Sequence, residues 1–156
     1  MTVICRLLLF VFALSISPAP VSAAALEFQK PQSRWEVSWL AQFYNRDFVQ
    51  ITGQNIDWSN PPFLTATADI DGDPGNPAIF VLRQHRDFCG AQNCTLHVWH
   101  YDEPTGSAPG AGDYVRALEV FVAGAVALGD MGPNGLQDIW LGENLWRWNG
   151  STYIRP

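Results

Sequence analysis

Three regimes of apolar and polar spacing follow one another along the chain. Residues 7–16 are almost continuously apolar, with Arg6 ahead of them and Pro18 and Pro20 behind. From residue 33 a longer period takes over. Trp35, Trp39 and Phe43 recur at every fourth position, Leu40 and Tyr44 lie beside them, and Arg34, Ser38, Gln42 and Asn45 occupy the other faces. That spacing predicts one amphipathic helix of about three turns, its aromatic stripe turned toward a core. Ser33, with Glu36 three residues later, supplies a capping box for its start.

Past the helix the pattern breaks into short segments separated by turn residues. Residues 48–52 and 63–68 have strand composition and flank a break at Asn60-Pro61-Pro62. Residues 78–82 form a continuous apolar run, consistent with a buried strand. Over 95–101, Leu96, Val98 and His100 would point one way and His97, Trp99 and Tyr101 the other. Segments 115–122, 126–128, 139–141 and 145–148 follow. Trp148-Asn149-Gly150-Ser151 then turns the chain into a last strand over 152–154. Residues 102–113 (DEPTGSAPGAGD) carry almost no apolar side chain and predict a surface loop of the kind that often holds binding function. The expected fold is α+β and mainly β: one N-terminal helix, then a mostly antiparallel sheet.

The first regime reads as an address. Arg6, the apolar run and the small residues of Val21-Ser22-Ala23 and Ala23-Ala24-Ala25 make residues 1–25 a signal peptide, cleaved after Ala23 or Ala25. The apolar run is about half the length a spanning helix needs, and no later run would span a membrane. The competing reading is an uncleaved anchor. On the cleaved reading, residues 26–156 form a single globular domain, periplasmic or secreted.

Composition narrows the partners. There are 15 Asp and Glu against 9 Lys and Arg, and Lys30 is the sole lysine. A nucleic-acid binder needs a clustered basic face, and a polybasic membrane-surface protein needs the same, so both classes are excluded. Removing the leader takes away Arg6 and no acid, leaving a chain more acidic still. Cys89 and Cys94 remain after cleavage. In an exported protein such a close pair beside Gly90 reads as a disulfide across a tight turn, worth about 2 kcal/mol by chain entropy. A redox pair would favour Cys-x-x-Cys, and a zinc site needs further ligands.

Two acidic loops carry candidate chemistry. Asp69, Asp71 and Asp73 alternate in a Gly-rich turn, and Asp130, Asn134 and Asp138 recur in a second one. Several oxygens around one point suit a hard cation such as Ca²⁺. The same residue types also build metal-free turns by accepting from backbone N–H groups. Residues 125–142 resemble the FG-GAP repeats of integrin α-chain propellers and their bacterial relatives: an approach strand, a loop of the form D-x-D/N-x-D/N-G-x-x-D, then an apolar strand. The first loop follows the pattern with Pro74 as an insertion. Cys89-Gly90 to Cys94 after an acidic loop is similar to small exported bacterial proteins. The resemblance implies strand-loop-strand units that can hold calcium. Two departures accompany it: Gly132 replaces a ligand, and Pro77 or Ala78 stands where the first loop's last Asp belongs. With room for two such units, the chain is too short for a propeller, which takes at least four blades.

Trp146 and Trp148 lie two apart on one strand and share a face. They form either core or an exposed platform for a sugar ring or protein partner. His97 and His100 are three apart, so a strand sends them to opposite sides. No G-x-S-x-G, H-E-x-x-H or phosphate-binding glycine loop is present, and no residue is assigned a catalytic role. The expectation is an exported, non-enzymatic binding protein whose ligand is a protein partner or a cell-wall glycan. An inhibitor or immunity-type partner of a cell-envelope enzyme is its concrete form. A small hydrolase using acidic residues is the competing class, and a structural module the third.

Overall fold

The computed structural model describes residues 24–103, 108 and 110–156. The expected leader up to Ala23, and residues 104–107 and 109 of the expected 102–113 loop, lie outside those residues. Among the described residues the chain forms one α-helix and eight strands in two antiparallel sheets, an α+β fold that is mainly β.

Helix α1 (Arg34–Thr52) starts as the sequence predicts. The Ser33 side chain accepts from the Glu36 backbone N–H, and the Glu36 carboxylate accepts from the Ser33 N–H. The helix runs for 19 residues, well beyond three turns. Residues 48–52, expected as a strand, are its final turn. The β-branched Val49, Ile51 and Thr52 suggest a strand, but Phe48 falls four residues after Tyr44 and buries on the same stripe. Tertiary burial outweighs the weak local preference. Gly53, at φ 70°, then closes the helix in the left-handed conformation, its N–H donating to the Val49 carbonyl.

The first sheet is a meander of β1 (Phe63–Ala68), β2 (Ala78–Arg83), β3 (Cys94–Asp102) and β4 (Asp113–Val122). The second is a meander of β5 (Val126–Met131), β6 (Gln137–Leu141), β7 (Asn144–Trp148) and β8 (Tyr153–Ile154). The sequence suggested one sheet. The break at Ala123-Gly124-Ala125, with Gly124 at φ 94°, makes two.

The layers stack as helix, first sheet, second sheet. The stripe Trp39, Leu40, Tyr44 and Phe48 packs on Phe63, Ile79, Val81 and Trp99. The opposite face of the first sheet, with Phe80, Leu96 and Val98, meets Leu136, Ile139, Leu141, Trp148 and Tyr153 of the second. The alternation of β3 is therefore as expected: Leu96 and Val98 face one core, His97 and Trp99 the other.

Two connections tie the layers together. The loops at 69–77 and 132–136 join the first two strands of their respective meanders, and Gln137 N donates to Ile70 O at 2.7 Å between them. The segment before α1 lies against the outer strand of each sheet. Gln29 exchanges two hydrogen bonds with Thr65 of β1, and Leu26 N donates to Val126 O of β5. The Cys89–Cys94 disulfide closes the β2–β3 connection, where Gly90 N also donates to Asn93 O.

Candidate functional site

The first acidic loop is organised by its own backbone. Asp69 Oδ1 accepts from the N–H groups of Asp71 (3.2 Å) and Gly72 (2.7 Å), and Asp71 Oδ1 accepts from Asp73 (2.8 Å). Asp73 accepts from Gly75 N through one oxygen and from Asn76 Nδ2 through the other. These are successive Asx turns. In the second loop, Asp138 is buried and both its oxygens accept from Arg147, the closest contact being 2.8 Å. Asn134 Nδ2 donates to the Trp148 carbonyl, and Asp130 is exposed. Among the described residues no three His, Cys, Asp or Glu side chains are gathered as a cation site. Arg147 was the partner that the sequence did not reveal, since strand pairing across β6–β7 brings it to Asp138.

Of the tryptophan pair, Trp148 belongs to the core. Trp148 is 7% exposed, packed 5.0 Å from the His100 ring and 5.5 Å from Tyr153. Trp146 is half-buried against the same inter-sheet core.

A cleft of about 490 Å³ between α1 and strands β2–β4 has the character of a site. Its polar floor comes from inward positions of the first sheet. Arg83 ends the apolar β2 run at the same parity as Ile79 and Val81, and it is 4% exposed. Its guanidinium lies 3.3 Å over the Phe88 ring, and Nη2 donates to Asp47 at 2.8 Å. The register places His97 opposite Val81 on one side and Glu119 on the other. His97 is 1% exposed. Arg116 pairs with Glu119 Oε2 at 3.0 Å.

The proton positions follow from donor chemistry. Trp99 Nε1 can only donate, and it lies 2.8 Å from Tyr44 Oη. The phenol, whose acidity burial suppresses, keeps its proton and shares a hydrogen bond of 2.9 Å with His97 Nδ1. Burial, followed by the nearby Arg83 and Arg116 charges, holds the imidazole neutral down to about pH 3. Its Nε2 stands 3.6 Å from Glu119 Oε1, beyond a direct hydrogen bond. Neither His97 Nε2 nor Arg83 Nε has a hydrogen-bond partner among the described residues.

Chemically the cleft gathers two guanidinium groups, Arg83 and Arg116, with three carboxylates, Asp47, Asp87 and Glu119. Burial holds the His97 ring neutral at neutral pH, and its Nδ1 is engaged by Tyr44. Tyr44 is likewise unsuited to nucleophilic attack. The sequence reading missed this site. The signal that could have found it is Arg83 continuing the inward parity of a buried strand, paired with a histidine at an inward position of the next.

No protein-family model matches the chain, and neither curated proteins nor solved structures give a match. The FG-GAP resemblance thus rests on the loop residues alone.

Proposed function

We propose that the protein is an exported binding protein acting in the periplasm or outside the cell, with the α1–β4 cleft as its ligand site and no chemistry of its own. The observation that carries this reading is the closed proton network from Trp99 through Tyr44 to His97. It engages the buried His97 ring and the Tyr44 phenol with each other, so neither is held free for a reaction. Polar and charged groups converging among the Phe43, Phe88 and Phe121 rings support a ligand site in this cleft. The disulfide and the leader-like start support the compartment. The inhibitor or immunity-type form draws support from the acidic chain, which suits a basic envelope enzyme. The glycan form draws its support from the cleft.

The test is capture from envelope extract, with the exported protein as bait beside its Glu119→Ala variant. Glu119 is half exposed, so the variant should fold. The reading expects a ligand retained by the wild type and lost from the variant, with the processed chain found outside the cytoplasm. A cytoplasmic, unprocessed chain would overturn the compartment. Turnover of an envelope substrate that disappears with Glu119→Ala would make the protein an enzyme.

A further inference from the structure

The flank of α1 turned away from the α1–β4 cleft carries a second concavity. Gly53 ends the helix, and Ile56, 8% exposed, anchors the segment that follows in the core cluster of the helix stripe. Trp58 comes next, stacked on Phe63 with ring centroids 6.2 Å apart. Asn45, Arg46, Val49 and Gln50 of the helix, with Asn55, Ile56 and Trp58, line an open groove of about 840 Å³. None of these residues lines the α1–β4 cleft.

The lining has a definite chemistry. Arg46 is its one charged residue, and no carboxylate stands among the described residues that form it. Asp57, between Ile56 and Trp58, is outside the lining and accepts from Ser59 N at 2.9 Å and Ser59 Oγ at 2.6 Å. In a chain with 15 Asp and Glu against 9 Lys and Arg, the groove is a local reversal of charge. Asn45, Arg46, Gln50 and Asn55 are all exposed, so their polar groups are open to a ligand.

A guanidinium only donates, and it matches a carboxylate through two parallel hydrogen bonds. A cationic ligand would meet Arg46 with no acid to balance it. A side-chain amide presents a donor beside an acceptor, as a peptide bond does, and three such amides border the groove. Val49, Ile56 and the Trp58 ring add apolar wall. Branched aliphatic walls suit an aliphatic side chain better than the hydroxyls of a sugar, which lose water there without a partner. A groove of this volume is also far larger than an inorganic anion. Tryptophan and arginine are, besides, the residue types that most often anchor a protein partner.

We propose that this groove docks an extended acidic segment of a partner protein, with a Glu or Asp carboxylate on Arg46 and a neighbouring apolar side chain against Val49 and Trp58. The proposal goes beyond the α1–β4 cleft and does not depend on it.

The experiment titrates the wild-type chain into end-blocked fluorescent hexapeptides that carry an apolar residue beside Glu, Gln or Lys, with neutral oligosaccharides as a separate arm. Fluorescence polarisation should show saturable binding of the Glu series, about tenfold tighter than the Gln series, the difference between a charge-assisted and a neutral hydrogen bond. The Lys series should bind weakest. Arg46→Gln should erase the preference for Glu over Gln, and Val49→Asp should weaken the Glu series, with circular dichroism unchanged because both positions are exposed. Arg86→Gln, at an exposed arginine outside the groove, should keep the preference. Equal affinity for the Glu and Gln series overturns the proposal on the wild type alone. A preference that survives Arg46→Gln, or that Arg86→Gln also erases, overturns it too. So does binding of the oligosaccharides alone, or of no series.

Discussion

His97 makes stability depend on pH in a direction the structure fixes. The unfolded chain takes up its proton near pH 6.5, the folded chain near about 3. The contribution is therefore complete above 6.5 and is lost as pH falls toward 3, with a slope of about 1.4 kcal/mol per pH unit at most. Denaturant titrations of wild type and His97→Gln across that window should differ in slope, the variant being flatter. Nitrogen chemical shifts of the imidazole should show one neutral tautomer across that window, the ring titrating well below its usual range. Asp69 affords a second residue-scale expectation. Its Oδ1 holds two backbone N–H groups, so Asp69→Ala should cost about 1 kcal/mol, in line with other capping hydrogen bonds. Thermal melts with calcium and with chelator divide the two readings of that turn. An equal loss in both assigns the cost to the backbone, and a loss confined to the calcium series assigns it to a cation. The Asp residues were legible in the sequence; their hydrogen-bond partners were not, because Asx turns and cation loops draw on the same residue types.

At the scale of elements, α1 shows where local pattern suffices and where it stops. Its start was readable because the capping box is a local arrangement of four residues. Its end was not, because the last turn is rich in β-branched side chains and is held helical by Phe48 against Phe63 and Phe88. Phe48→Ala should accordingly cost about 3–5 kcal/mol, the range for a buried phenylalanine, measured by denaturant unfolding. A strand over those residues would not bury that ring against the helix stripe's partners. Strands β2 and β3 were legible from an apolar run and a clean alternation. The cleft they carry was not, since Arg83, His97 and Glu119 come together only through the β2–β3–β4 register, and no spacing in the chain encodes it.

At the scale of the molecule, the two sheets share one core, so they should unfold together. Ile139→Ala, in the second sheet, should cost about 2–5 kcal/mol and move a single transition, read alike by far-UV circular dichroism and by tryptophan fluorescence. Two separate transitions would mean that the sheets stand alone. Replacing Cys89 and Cys94 by serine should lower stability by about 2 kcal/mol without splitting that transition. The eight strands were legible from composition and turn residues, beside a ninth expected over 48–52 that is helix, but their division between two sheets was not, because a three-residue break between β4 and β5 reads like any other turn. One consequence belongs to the segment that precedes the helix. By pairing Gln29 with β1 and Leu26 with β5, it covers an outer strand of each sheet with a single stretch of chain. Uncovered edges invite pairing with a second molecule. A chain trimmed through Gln29 should therefore keep its disulfide and its helix yet lose its solubility, seen as light scattering that grows with protein concentration. The few residues beside the predicted cleavage sites would then guard the molecule against its own copies.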